Sequence, residues 1–426
     1  MMSVQTPHTL MNLARQRQLR NENLAISALE DLPTELFQAL FKDAFNGGHT
    51  RIVKAMVAAW PLSCLPMEAL MKTSHLESFH AVLYGVDMHR ARKFHLTRSK
   101  LQVLNPRKVH HDFWKVWTER ENGDSPVCSA DTVVESPIAK VPPRHALRQQ
   151  QCRLKVVTDL HLRLRVNEER ACFLQWAQQR KGSLQLCCTK MEIWGVSVYT
   201  IKKILYVFQP EHIEELEWNT GWDVSTLAHF APCLGQMRSL LKLFLASMYE
   251  NTIQIGNRTA GREEKCISKI IAQFSKLNCL QHLSMNGLYF LKDQMNEVLR
   301  CLRNPLETLS ITSHPLSQSD LNYFSCRHSL CQLKHLDLRG ISLFNSCLKP
   351  LGVLLENAAD TLESLDLQDC GIEDSQLTDL IPALSQCSQL TKVNFSDNEF
   401  SMSILKDLLR HTEDKYGAVP CSSSML

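Results

Sequence analysis

A mixed α/β solenoid, with parallel strands along one side and helices along the other, is the fold class this sequence predicts. Three observations carry that expectation. A short leucine pattern, LxxLxL, recurs through the C-terminal half of the 426 residues. The stretch after each copy changes to helical spacing. The first hundred or so residues lack the pattern but carry helix start and stop signals.

The N-terminal zone, residues 1–118, reads as helical. Its best punctuated segment is "DLPTELFQALFKDAFNGG", residues 31–48. Pro33 suits a first helical turn, where no N–H is needed. Glu35 sits where the helix dipole favours an acid. Leu36, Leu40 and Ala44 form one apolar stripe, and Phe37, Phe41 and Phe45 form the next. Asn46-Gly47-Gly48 is the stop. Such a helix suits packing in a core or docking on another protein. Further on, "LQVLNP" (Leu101 to Pro106) is a degenerate LxxLxL unit with Pro in the last place. Proline suits an edge strand, so this unit is expected to cap the array. Residues 119–150 are rich in Pro, Ser, Asp and Gly without a period, which predicts a linker or loop.

The array is expected over 151–412. Clean copies begin at Leu280, Leu306, Leu333, Leu362 and Leu390, spaced 26, 27, 29 and 28 residues apart. Earlier copies begin at Ile213 and Leu240, and the step of 40 to Leu280 marks an insertion. Weaker copies lie at "TKMEI" (Met191, Ile193) and "TDLHL" (Leu160, Leu162). A sustained period of this length identifies leucine-rich repeats. The last two leucines of LxxLxL stand two apart and so share one face of a short strand. Met295, Val298, Leu299 and Leu302 then follow helical spacing, as do Leu377, Leu380, Ile381 and Leu384. A strand and a helix of this kind cannot bury their apolar faces alone, so the units stack as a horseshoe with the strands inside. An Asn or Cys often follows the pattern and bonds the turn. Here Cys370 and Asn398 do so, while Leu288, His314 and Ile341 stand elsewhere, so those turns need other partners.

Composition narrows the function classes. Lys+Arg total 47 and Asp+Glu 44, which gives no electrostatic reason to expect nucleic acid or a membrane surface. No apolar run reaches a membrane span, and "MMSVQTPHTLMNLARQRQLRNE" has no secretory apolar core. The 16 cysteines include no CxxC pair, which predicts reduced thiols in cytoplasm or nucleus. "CRHSLC" (Cys326, His328, Cys331) and His110-His111-Asp112 are weak metal spacings, and no metal or cofactor is expected. The motifs GxxxxGK[ST], GxSxG, HExxH and GxGxxG are absent, so no enzyme is expected.

The segments "LAISALEDLPTELFQALFKDAF", "VKAMVAAWPLSCLP", "KLQVLNPRKVHHDFWKVW", "LQLCCTKMEIW", "LAHFAPCLGQMRSL", "NPLETLSIT" and "CGIEDSQLTDLIPALSQCSQLT" resemble the PRAME family (preferentially expressed antigen in melanoma and its relatives), of the rodent PRAME-like kind. The resemblance runs to about residue 410. The ending 413–426, "TEDKYGAVPCSSSML" in part, departs from it, which predicts an exposed last repeat. The resemblance implies a substrate receptor of an Elongin-linked cullin RING ubiquitin ligase. It also implies roles in repressing transcription and differentiation, restraining apoptosis and supporting proliferation in germ or early embryonic cells.

With that context, Leu32, Pro33, Leu36 and Leu40 resemble a cullin-docking box, and an F-box start about as well. An Elongin box is met only in part by "SLQLCCTKMEI" (Ser183, Leu184, Cys188), where Glu192 replaces an aliphatic residue. "LGVLL" (Leu351, Leu354, Leu355) and "LKDLL" (Leu405, Leu408, Leu409) are LxxLL motifs whose leucines the core is expected to claim. Side chains between the paired apolar residues should point away from the core: His161, Glu192, Glu217, Phe244, Ser284, Ser310, Asp337, Asp366 and Asn394, with Glu215, Lys242, His282, His335 and Lys392 beside them. This mixed, acid-leaning face suits a protein partner. Glu192, Glu217, Phe244, Asp337, Asp366 and Asn394 are its candidate contacts. Expected partners are Elongin and cullin components, protein substrates and transcription regulators. A corepressor that works without ubiquitin, and an inhibitor that covers an enzyme, are the alternatives.

Overall fold

A computed structural model describes residues 10–67, 70, 75–91, 100–105, 154–163, 168–247, 260–314, 316–325 and 328–416. The expected linker at 119–150, His110, His111, Asp112 and Cys326 lie outside the described residues. So do the side chain of His328 and residues 417–426. Contacts divide the chain into two compact units: residues 1–159 with 166–187, and residues 160–165 with 188–426.

The first unit holds helices Leu10–Arg20, Glu22–Ser27, Thr34–Asn46, Thr50–Ala58, Leu76–Ala91 and Glu168–Gln179. It also holds parallel strands β1 (Cys64–Pro66) and β2 (Val103–Asn105), and the start of β3 (Lys155–Arg163). β2 is therefore not the edge that its proline suggested. β1 lies outside it, with Leu65 opposite Leu104. The signal for β1 was present in "LSCLPM", a copy of LxxLxL whose Leu65 and Met67 are fully buried.

Helix Thr34–Asn46 also corrects an expectation. Pro33 is its N-cap residue and Thr34 its first helical one. The two stripes merge into one core face. Phe37, Leu40, Phe41, Ala44 and Phe45 are all at most 2% exposed. Their spacing of 3, 4, 7 and 8 residues covers a single broad helical side, so the core claims it whole. Trp60 packs edge-on against Phe37 and Phe41, with ring centres 5.7 and 5.0 Å apart. Its indole N–H donates to the Cys64 carbonyl at 3.0 Å, tying the helices to β1. Gly47 caps the helix and Gly48 turns the chain away at φ +72°.

The second unit is a leucine-rich repeat solenoid. It contains the end of β3, most of β4 (Gln185–Trp194), and β5 (Glu215–Thr220), β6 (Lys242–Ser247), β7 (His282–Asn286), β8 (Thr308–Thr312), β9 (His335–Asp337), β10 (Ser364–Asp366) and β11 (Lys392–Asn394). From β4 to β11 each strand pairs in parallel with the next in chain order. Inward side chains alternate as the pattern requires: Leu216 and Trp218, Leu283 and Met285, Leu309 and Ile311, Leu336 and Leu338 are buried. Helices follow the strands, and the expected stripes Met295–Val298–Leu299 and Leu377–Leu380–Ile381–Leu384 complete the core.

The turns after the strands are satisfied by several devices. Backbone bonds continue the ladder: Gly287 N–H donates to Thr312 O, Ser313 N–H to Arg339 O, Gly340 N–H to Gln368 O and Asp369 N–H to Ser396 O. The Asn398 amide takes Cys370 N–H and Ile372 N–H and donates to Leu367 O at 2.8 Å and Phe395 O at 2.9 Å. The Cys370 thiol donates to Leu338 O at 3.2 Å, and burial pushes its pKa up to about 12, so it stays a donor. Buried Asp320 and Gln376 reach back from their helices to the Asp293 and Met295 amides and the Leu343 and Ser346 carbonyls. His314 is the exception. It is buried, and neither ring nitrogen has an aligned hydrogen bond, although the Leu288 backbone lies close.

The last repeat is the most open. Val393 is half-buried where its counterparts are buried, and Met402 and Leu409 are exposed on helix Met402–Tyr416.

Candidate functional site

The outward face of the second unit gathers the chemistry. Parallel strands in register place equivalent residues side by side at about 4.8 Å. Glu192 stands opposite Glu217, Glu217 opposite Phe244, Phe244 opposite Ser284, and Ser284 opposite Ser310. The row continues through Asp337, Asp366 and Asn394. A second row runs Lys190, Glu215, Lys242, His282, Thr308, His335, Ser364 and Lys392. The six expected contacts thus fall on one row, because each occupies the same place in its repeat.

Pairing within this face is denser than the sequence indicated. Glu192 is only 8% exposed. Its carboxylate meets His161 Nδ1 at 2.5 Å and Lys190 Nζ at 3.1 Å. Burial by itself would raise its pKa, but hydrogen bonds and charge from His161 and Lys190 outweigh that and hold it below the usual carboxylate range. Lys242 reaches Glu215 at 2.8 Å. At the other end, Arg339 forks onto Asp337 with two bonds of 2.9 Å, and Ser310 adds a third at 3.1 Å. Burial pushes Asp337 up, and Arg339 with Ser310 more than reverses it. Asp366 accepts from Asn394 Nδ2 at 3.1 Å. Between these clusters lie small or neutral groups: Ser284 and the pair His282–Thr308 at 2.9 Å.

Lys190 and Arg339 are contributors that their two-residue spacing from an acid could have supplied. Lys190 stands two residues before Glu192 on β4 and so on its face, while Arg339, in the turn just past β9, folds back onto Asp337 two residues before it. What no single strand reveals is cross-strand pairing, which joins His161 to Glu192, Lys242 to Glu215 and Arg339 to Asp366.

The docking box fares differently. Leu32 and Leu40 are core residues, 7% and 1% exposed, and are withdrawn as contact residues. Pro33 is exposed and Leu36 half-buried, so these two remain at the surface. Ser183, Leu184 and Cys188 are no Elongin box: the segment runs into strand β4 and buries Leu184 and Cys188. Leu351, Leu354 and Leu355 are core, as expected. Leu405 and Leu408 are only half-buried and Leu409 is 46% exposed, against expectation, on the last helix of the array. No group of three or more metal-ligating side chains occurs among the described residues. None of the described helices is long and apolar enough to cross a membrane.

Comparison with known families matches residues 7–114 to the PRAME N-terminal domain and residues 154–416 to the PRAME C-terminal domain. The chain belongs to the PRAME family. Among its relatives, human PRAME family member 12 is 42% identical over 412 residues, spanning 96% of this chain and 83% of that protein. Human PRAME family member 20 is also 42% identical, over 96% of this chain and 84% of its own length. Mouse preferentially expressed antigen in melanoma-like protein 7 is 39% identical over 96% of this chain and 84% of its own. Among solved structures, a Bacteroides fragilis protein covers 58% of this chain and 71% of its own, at 17% identity and a TM-score of 0.34. A leucine-rich repeat protein of Leptospira interrogans covers 60% and 87%, at 11% identity and 0.20. These likenesses are loose, and the fold of this PRAME-family chain stands on its own register and burial.

Proposed function

We propose that this PRAME-family chain is a non-catalytic, substrate-recruiting subunit of an Elongin-linked cullin RING ubiquitin ligase. In this reading the outward sheet face binds the protein to be ubiquitinated, and the N-terminal helices bind the ligase. The observation that supports it most is the registered row from Glu192 to Asn394. A mixed, partly desolvated polar surface of this kind suits protein recognition, and a surface without chemistry of its own needs a partner to act on what it holds. Proteasomal loss of the bound protein, with repression of transcription and differentiation, then follows from which protein is bound. Cytoplasm and nucleus are where this work would be done.

The docking contact narrows to Pro33 and Leu36, since Leu32 and Leu40 already serve the core. The test is co-capture of Elongin and cullin with the full chain. Wild type should retain them, and Leu36→Asp should lose them while melting as wild type does. Undiminished capture by folded Leu36→Asp would remove this surface from the docking role. A ubiquitin-independent corepressor is the second reading. It draws on the partial exposure of Leu405, Leu408 and Leu409, an LxxLL set that a receptor groove could take up as a helix.

A further inference from the structure

We propose that Glu217 and Phe244, neighbours on the outward row, form a subsite for an arginine side chain presented by a protein partner. The proposal rests on the reading that this face binds protein, and it names the chemistry that the face takes.

The charges around β4 to β6 lead to it. Glu192 is satisfied by His161 and Lys190. Glu215 is met by Lys242 at 2.8 Å and has Lys190 at 4.0 Å. The two ammonium groups on this part of the face are therefore engaged. Glu217 is the third carboxylate, half-buried, with no hydrogen bond or contact ion pair among the described residues and only the longer-range charge of Lys190, whose ammonium is bonded to Glu192. A partly desolvated carboxylate with no cation in contact favours one strongly once a binding partner excludes the remaining water.

The neighbour in register narrows the choice of cation. Phe244 stands opposite Glu217 on one side and Ser284 on the other. Serine is too short to cover the ring, and among the described residues no cation lies over it. A guanidinium suits the pair of groups, because its flat face stacks on an aromatic ring while its edge forks onto a carboxylate. The chain makes the stacking contact itself between β3 and β4, where Arg163 lies over the Trp194 ring at 5.5 Å. The ring of Phe244 offers a similar platform, with an acid beside it and no arginine over it among the described residues.

The test is selection of displayed random peptides on the full immobilised chain, beside Glu217→Gln, Glu217→Lys and Phe244→Ala. Thermal melting checks each variant first, and Phe244→Leu replaces Phe244→Ala if the latter fails to fold. Peptides recovered on wild type should carry arginine at a fixed position, enriched about tenfold over the library. Glu217→Gln should return arginine to library frequency, Phe244→Ala should lower it, and Glu217→Lys should select Asp or Glu there instead. Equal arginine enrichment on Glu217→Lys would overturn the proposal, as would recovery of peptides with lysine or no cation preference. Peptides lacking arginine but lost on Asp366→Arg would overturn the subsite while leaving protein binding by this face standing.

Discussion

Replacing Asn398 with Ala tests how the solenoid closes its turns. The Asn398 side chain joins the last repeat to the one before it. It accepts from Cys370 N–H at 3.2 Å and Ile372 N–H at 3.0 Å, and it donates to Leu367 O at 2.8 Å and Phe395 O at 2.9 Å. A net hydrogen bond contributes about 1 kcal/mol, so four give about 4 kcal/mol. Asn398 is half-buried, and water recovers part of that in the variant, which leaves about 3 kcal/mol. The loss should be local, because repeat contacts are nearest-neighbour. Native-state hydrogen exchange is the assay, since it reads local opening without requiring two-state unfolding. The Cys370 and Ile372 amides should exchange on the order of 100-fold faster, as about 1.4 kcal/mol is a tenfold change. Amides of β5 to β7 should not change. Exchange at Cys370 and Ile372 within about threefold of wild type would refute the reasoning that these bonds close the turn.

Four further outcomes follow from the same geometry. Leu40→Asp should abolish cooperative melting of the first unit, because it sets a carboxylate beside Phe37 and Phe41, whereas Leu36→Asp, at a half-buried position, should keep wild-type far-UV circular dichroism and cooperative melting. His314→Asn should stabilise the array by about 1 kcal/mol, a rise of about 2–4 °C in Tm, by giving the turn a side chain of the Asn398 kind. Burial holds the His314 pKa below that of free histidine against Asp320 and the Leu288 backbone, so its contribution is present above the unfolded pKa and lost as pH falls through the folded one. The wild type should therefore lose Tm from pH 7 towards pH 5 more steeply than His314→Asn, and parallel curves would count against it. Brief iodoacetamide treatment of native protein, read by mass spectrometry, should label exposed Cys279 and Cys347 and spare Cys370 and Cys387.

Much of the solenoid was legible because its signal is local. The two-residue spacing of Leu283 and Met285, or of Leu365 and Leu367, states which face is buried, and a fixed period then aligns every outward residue without further information. The missed elements depend on neighbours. β1 escaped because "LSCLPM" is a lone copy carrying a proline, and only pairing with β2 makes it a strand. The stripes of helix Thr34–Asn46 were each visible, but periodicity does not say how many partners a helix has, and Trp60 packs on a face that joins Phe37 to Phe41. Leu409 is 46% exposed where Leu355 is buried, although both close an LxxLL motif, so the motif alone does not say which leucines the core claims. The face residues share one row of the sheet, yet Glu192 is a nearly buried ion-pair centre, whereas Glu217 has no cation in contact. That difference lies in the neighbours each acid meets: His161 of β3 and Lys190 of its own strand for Glu192, Phe244 of β6 for Glu217.

Ligase recruitment is most directly tested by the ubiquitin carried on captured proteins. The full chain is expressed in cells with the proteasome blocked, and lysine-linked ubiquitin remnants on its co-captured partners are quantified for wild type and Leu36→Asp. The account predicts the same partners on the two chains, with remnants on them falling to background for Leu36→Asp. Equal ubiquitination with folded Leu36→Asp, or captured partners that carry no ubiquitin on wild type, would contradict it.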